Sequence, residues 1–130
     1  MPPRSLLVID DDPLVCAAMG TRLETAGYRV RSAPGGPSGL EAARTEVPDL
    51  FLVDLQMPVM GGLEVCAQIR RDPRMSGRPV VLMSAGNMDP EMLRRARSEA
   101  DAFLAKPYEG SELLRLVGSM VGSAGRGEGR

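Results

Sequence analysis

Residues 6–13, with the sequence Leu6-Leu7-Val8-Ile9-Asp10-Asp11-Asp12-Pro13, decide the fold of this chain. Four consecutive apolar residues are typical of a short strand that is buried on both faces of a parallel sheet. An acidic triplet follows directly, and a carboxylate immediately before proline is typical of the start of a helix. The stretch therefore predicts a strand, a turn that carries carboxylates, and a helix.

The same pattern of a strand followed by a helix recurs along the chain. Apolar or alternating segments predict strands at residues 6–9, 28–32, 50–53, 79–84 and 102–105. Helices are predicted from residue 13 to the glycine at 27, over 38–46 and 63–69, from residue 90 onward, and over 110–121. This alternation implies right-handed crossovers and an α/β sandwich of three layers. Residues 1–121 are expected to form one domain, and the glycine-rich residues 122–130 a flexible tail or linker remnant.

Local signals define several helix ends. Asp12 is expected to cap the first helix, which carries Leu14 and other apolar residues at helical spacing. Asp89 is expected to cap the fourth helix. Gly61-Gly62 is expected to give the backbone freedom to turn before the third helix.

Polar side chains lie at the ends of four of the five predicted strands. Asp10 and Asp11 end the first strand, and Asp54 ends the third. Carboxyl ends of parallel strands meet at one edge of a sheet, where ligands bind, so these like charges require a neutralising cation. A set of oxygen ligands favours Mg²⁺ over zinc. Lys106 and Ser84, at the ends of two further strands, add an amine and a hydroxyl suited to phosphoryl oxygens.

These residues resemble those of a bacterial response-regulator receiver domain, the phosphoacceptor of two-component signalling. The most specific stretch is Asp54-Leu55-Gln56-Met57-Pro58-Val59-Met60-Gly61-Gly62, which is similar to the family's sequence around its phosphorylated aspartate. The resemblance covers residues 5–121 and implies a flavodoxin-like (βα)5 fold with a parallel sheet of strand order 2-1-3-4-5.

The resemblance also implies roles for individual residues. Asp54 would be the phosphorylation site. Mg²⁺ (or Mn²⁺) would be held by Asp10, Asp11 and Asp54, with Asp11 the more direct of the first two, and by the backbone carbonyl of Gln56.

Four further positions would bind the phosphoryl group or respond to it. Ser84, with the neighbouring Ala85, and Lys106 would face the phosphoryl oxygens. Phe103 would be the switch aromatic, although it lacks the hydroxyl of the more common tyrosine. Pro107 would follow a cis peptide bond. Ser84 could instead simply satisfy a backbone group at the end of its strand.

The implied function is signalling rather than turnover of a separate substrate. The resemblance implies phosphoryl transfer from a sensor histidine kinase or a phosphotransfer protein to Asp54. The domain would then promote its own dephosphorylation. A face built from the fourth helix, fifth strand and fifth helix (α4-β5-α5) would engage a downstream protein, or a second copy in a homodimer.

Composition excludes several other functions. The chain has no histidine, which excludes a phosphohistidine carrier and a Ser-His-Asp triad. Cys16 and Cys66 lack Cys or His neighbours at metal spacing and are expected to be reduced packing residues. A net charge of −1 gives no case for nucleic acid, and the Arg94-Arg95-x-Arg97 series predicts a solvated helix face. No apolar segment approaches a membrane span, so a cytoplasmic protein is expected.

Two other functions stay open, and so does the extent of the protein. Asp10-x-Asp12 imitates the first motif of haloacid-dehalogenase-type phosphatases, in which Asp10 would be the nucleophile. The second alternative is a receiver-like adaptor that is never phosphorylated. A chain of 130 residues leaves no room for a DNA-binding output domain, unless it is one domain of a larger regulator.

Overall fold

The computed structural model describes residues 2–85 and 88–121. In this part of the chain five strands and five helices alternate. The strands are β1 (Ser5–Ile9), β2 (Arg29–Ala33), β3 (Leu50–Asp54), β4 (Val80–Ser84) and β5 (Ala102–Ala105). The helices are α1 (Pro13–Thr25), α2 (Gly36–Thr45), α3 (Gly62–Arg71), α4 (Pro90–Glu99) and α5 (Gly110–Val121). The predicted tail, residues 122–130, lies outside the described residues.

All five strands pair in parallel in the order β2-β1-β3-β4-β5, which confirms the predicted topology. Strands β1, β3 and β4 are buried along their whole length, as their continuous apolar sequences require. Strand β2 is at one edge of the sheet, and four of its five residues are partly or fully exposed. Because all the strands are parallel, their carboxyl ends lie along one edge of the sheet, and three of them end strands that are buried.

Side chains alternate between the two faces of the sheet and form two cores. The α3-side core, which is covered by α2, α3 and α4, contains Leu7, Ile9, Leu40, Ala43, Phe51, Val53, Leu55, Val65, Cys66, Ile69, Met75, Val80, Leu82 and Ala96. The α1-side core, which is covered by α1 and α5, contains Leu6, Val8, Met19, Leu23, Tyr28, Leu50, Leu52, Val81, Met83, Leu104, Leu113, Val117 and Val121.

Helix α1 begins and ends where the sequence predicted. The Asp12 carboxylate accepts a hydrogen bond from the backbone N–H of Leu14 at 2.9 Å, as an N-cap does. Gly27 follows the helix with φ 102°, a left-handed conformation that favours glycine. Leu14 is 78% exposed, so its helical spacing did not place it in the core. It lies in the first turn of the helix, where residues 11–14 are all exposed.

Helix α2 begins earlier than predicted. Ala33 ends β2, and the helix starts at Gly36 rather than at Ser38. Pro37 lies in the first turn of the helix, where proline is compatible because no intrahelical N–H donor is needed there. A Cβ at Gly36 would lie 2.8 Å from the sulfur of Met60, so the small residue allows α2 to approach the loop after β3.

Helix α4 is attached to the rest of the molecule by few buried side chains. Ala96 is its one fully buried residue, whereas Met92 and Leu93 are half-buried. Asp89 occupies the N-cap position as predicted, but its side chain makes no capping hydrogen bond. Helices α2 and α3 each bury four residues. Helix α4 is therefore the least anchored of these three.

Candidate functional site

The ends of β1 and β3 bring three carboxylates together. Asp10, directly after β1, is 1% exposed, and Asp54, the last residue of β3, is 8% exposed. Asp11 is exposed at the rim. Each of these three residues offers a carboxylate oxygen, and all three oxygens lie within 4.8 Å of one another. The sequence predicted this meeting from the strand ends alone.

Lys106 is the cation that faces this cluster. It directly follows β5, and its backbone N–H donates to the carbonyl of Ser84 at 2.7 Å. Its Nζ donates to Asp10 Oδ2 at 3.1 Å and to Asp54 Oδ1 at 3.5 Å. Burial opposes the charge on the amine, but the hydrogen bond to Asp10 and the charges of Asp54 and Asp10 outweigh it and raise the pKa of Lys106. The lysine therefore stays protonated.

One lysine does not compensate three carboxylates. Burial, followed by the charge of Asp10, raises the pKa of the Asp54 carboxyl in spite of Lys106. The second oxygen of Asp10 accepts the backbone N–H of Asp12 at 2.9 Å, which fixes that carboxylate in place. The residues thus suit a hard divalent cation, because the donor set is all oxygen and carries excess negative charge. Asp10, Asp11 and Asp54 would hold it.

Ser84 ends β4 on the sheet face of the α3-side core, two residues beyond Leu82. It is 1% exposed. Its hydroxyl donates to the carbonyl of Ala85 at 2.8 Å and also lies against the thioether sulfur of Met88. In this state the Ser84 hydroxyl satisfies a backbone carbonyl at the end of its own strand. The Met88 contact was not predicted, because thioether positions in a loop have no sequence signal.

The remaining predicted site residues lie around this edge. Gln56 is exposed, two residues after Asp54. The peptide bond between Lys106 and Pro107 is cis. Phe103 is half-buried on β5, paired with Leu82 of β4.

A cleft of about 500 Å³ opens beside Asp10 and Asp11, between α1 and the end of β2. Cys16 is part of its wall, and the Cys16 thiol donates to the carbonyl of Asp10 at 3.4 Å. Burial, followed by the negative charge of Asp10, raises the pKa of this thiol. Cys16 is therefore a protonated packing residue beside the site, and both cysteines are free of disulfides, as predicted.

Glycine is required at position 62 because the start of α3 lies very close to the backbone of Asp54 and Leu55, not because the backbone needs conformational freedom there. Neither Gly61 nor Gly62 has a positive φ, contrary to the expectation from the sequence. A Cβ at Gly62 would lie 2.6 Å from the carbonyl oxygen of Asp54 and 2.7 Å from Cα of Leu55. Helix α3 therefore begins in direct contact with the backbone that carries the Asp54 side chain.

The unusual backbone conformation in this loop is at Val59. It has φ 69° and is 97% exposed. The N–H of Met60 donates to the carbonyl of Pro58 at 2.7 Å across it, which makes a three-residue turn of the rare strained form. A β-branched residue is disfavoured there, and no sequence signal at Val59 indicated it.

Val59→Asn is expected to stabilise the protein by about 1 kcal/mol, because asparagine tolerates positive φ and no buried contact is lost. The measurement is the free energy of unfolding in urea. Val59→Ala is the control, because it removes the β-branch but keeps a Cβ, and it should give a smaller gain. A loss of stability in Val59→Asn would contradict the assignment of strain to this turn.

Comparisons with known proteins agree with this geometry. Residues 6–118 match the model of the family described as the response regulator receiver domain. The DNA-binding dual master transcriptional regulator RpaA of Synechocystis is 35% identical over 89% of this chain, which covers 48% of RpaA. Protein PilH of Pseudomonas aeruginosa is 28% identical over 89% of this chain and 96% of its own length.

The chain thus spans about half the length of the curated relative RpaA. Among solved structures, a putative response regulator from Chloroflexus aurantiacus superimposes with a TM-score of 0.85 at 30% identity, over 92% of this chain and 98% of the other. No helix within residues 2–85 and 88–121 is long and apolar enough to cross a membrane.

Proposed function

Since the chain belongs to the response regulator receiver domain family of two-component signalling, we propose that Asp54 accepts a phosphoryl group in the presence of Mg²⁺ (or Mn²⁺). The donor is a sensor histidine kinase or a phosphotransfer protein. The observation that carries this proposal is the convergence of Asp10, Asp54 and Lys106 from three separate strand ends. No structural need of the sheet explains a buried pair of carboxylates with a shared lysine.

The transfer forms one bond and breaks one. An oxygen of the Asp54 carboxylate attacks phosphorus, and the bond from phosphorus to the donor breaks, with its electron pair leaving on the donor. Lys106 lies between Asp10 and Asp54 and would neutralise charge on the incoming phosphoryl oxygens. A bound divalent cation would supply further charge neutralisation. Asp10 and Asp11 would serve as its ligands and not as nucleophiles.

The signal begins at Ser84. Its hydroxyl now contacts Ala85 and Met88, and a phosphoryl group on Asp54 would offer it a stronger, charged acceptor. Turning toward that acceptor removes the contact with Met88, which lies just before α4. The change would reach a downstream protein, or a second copy of the chain, through the α4-β5-α5 face. The domain would promote its own phosphorylation and dephosphorylation without turnover of another substrate.

The test is intact mass of the full chain after incubation with acetyl phosphate and Mg²⁺, with EDTA as control. We expect a single Mg²⁺-dependent phosphoryl adduct. Borohydride reduction of the acyl phosphate, followed by peptide mass analysis, then locates the modified aspartate at Asp54.

Two other outcomes would overturn the proposal. Modification at Asp10 would support a phosphatase of the haloacid-dehalogenase type. No adduct, either from acetyl phosphate or from purified histidine kinases and phosphotransfer proteins, would support an adaptor that works without phosphorylation.

A further inference from the structure

The guanidinium of Arg97 lies over the ring of Phe103, 5.0 Å from its centroid. The two neighbouring arginines of α4 have carboxylate partners: Arg94 pairs with Glu91 at 3.4 Å, and Arg95 pairs with Glu99 at 3.6 Å. Among the described residues, Arg97 has no ion pair within 4.0 Å. All three arginines are exposed, as the sequence predicted, but the guanidinium of Arg97 faces an aromatic ring rather than a carboxylate.

Phe103 shares its sheet face with Ser84. It pairs with Leu82 on β4, and Ser84 lies two residues further along that strand on the same face. Phe103 packs against the α3-side core, and so does Met88, whose sulfur contacts the Ser84 hydroxyl. A change at Ser84 therefore alters the packing of the core surface on which this ring lies.

Arg97 connects the same ring to α4. Helix α4 buries only Ala96 completely, so the contact between Arg97 and Phe103 adds to a small set of contacts that attach this helix. The ring is half-buried, which leaves it able to pack more deeply once Ser84 and Met88 separate. Deeper packing would move the ring away from the guanidinium.

We propose that Arg97 is a positioning residue that holds the Phe103 ring, through this cation–π contact, in its unphosphorylated position and so opposes the switch. The inference rests on the proposed phosphorylation of Asp54. Loss of the contact favours the phosphorylated arrangement, and a partly exposed cation–π contact corresponds to a change of about two- to five-fold in an equilibrium constant.

The experiment measures binding of beryllofluoride, a phosphoryl mimic, to the full chain in the presence of Mg²⁺ by calorimetry. Ring position is followed by fluorine NMR after labelling with 4-fluorophenylalanine. The chain contains two phenylalanines, and Phe51 is fully buried, so its resonance serves as an internal reference. Arg97→Gln removes the cation, and Arg97→Lys retains one. Arg94→Gln, on the same helix, is the matched control for loss of charge.

We expect Arg97→Gln to bind beryllofluoride about two- to five-fold more tightly than wild type and to shift the Phe103 resonance before ligand is added. Arg97→Lys should recover most of the wild-type behaviour, and Arg94→Gln should match wild type. In a Phe103→Leu background, Arg97→Gln should change nothing further, because the contact is already lost.

The experiment distinguishes failure of the Arg97 role from failure of the proposed function. If wild type binds beryllofluoride and Arg97→Gln behaves like Arg94→Gln, the positioning role is wrong while the proposed function stands. Weaker binding by Arg97→Gln also overturns the role. If wild type binds no beryllofluoride with Mg²⁺ present, the proposed function fails and the positioning role fails with it.

Discussion

Asp54→Asn should abolish Mg²⁺-dependent phosphoryl labelling and, at the same time, make the metal-free protein more stable to urea at neutral pH. The loss of labelling follows from the loss of the nucleophile. The gain in stability follows because burial and the charge of Asp10 raise the pKa of Asp54, so its ionised form is disfavoured in the folded state. An amide of similar size removes that charge.

The sign of the pH dependence follows from the same shift. The folded-state pKa of Asp54 lies above its unfolded value, so ionisation destabilises the fold as pH rises through the folded pKa. The advantage of Asp54→Asn should therefore shrink as pH falls and disappear below the unfolded pKa. Mg²⁺ should stabilise wild type more than the variant.

Glu41→Gln is the control for this prediction, because it removes the same charge from the exposed surface of α2. It should label normally and show little change in stability. Equal stabilisation by both substitutions would indicate a general charge effect rather than the cost of a buried charge at Asp54.

Gly62→Ala should reduce both stability and labelling. The new Cβ would meet the Asp54 carbonyl oxygen and Cα of Leu55, which are backbone atoms that cannot move aside as a flexible side chain does. We expect a loss of about 1–3 kcal/mol in the free energy of unfolding. Displacement of Asp54 should slow labelling by acetyl phosphate about 10- to 100-fold.

Gly20→Ala is the matched control, because a Cβ there meets nothing within 4 Å and the residue lies inside α1. Alanine should stabilise this helix by about 0.5–1 kcal/mol and leave labelling unchanged. Urea titration and single-turnover labelling of both variants make the comparison. If the Gly62→Ala protein were as stable and as reactive as wild type, there would be room for a Cβ between Gly62 and the backbone of Asp54 and Leu55, which contradicts the structure.

The fold could be predicted because its signals are strong and agree. The continuous apolar stretch of β1 and the similar ones of β3 and β4 identify buried parallel strands, and Asp12-Pro13 and Gly27 mark the ends of α1. The start of α2 was placed wrongly because proline is compatible with both a loop and a first helical turn. The exposure of Leu14 could not be predicted, since helical spacing does not show which turns of a helix pack against the sheet.

The composition of the site could also be predicted, but not its contacts. Strand ends converge in any parallel sheet, so the meeting of Asp10, Asp54 and Lys106 followed from sequence order. The positive φ at Val59 belongs to the local turn between Pro58 and Met60, and the contact of Arg97 with the Phe103 ring depends on tertiary packing. Neither residue type carries a local preference that would reveal such a role.

Under the proposed function, the few buried contacts of α4 match the small free energy that phosphorylation of Asp54 would provide. A hydrogen bond from Ser84 to a charged oxygen contributes about 1.5–3 kcal/mol. Each fully buried leucine or valine of β3 represents a similar amount, so one such bond cannot displace a strand. Moving α4 exposes little beyond Ala96 and the half-buried Met92 and Leu93. Under the proposed function, α4 would therefore carry the signal while the sheet stays in place, and the domain would not need to unfold in part.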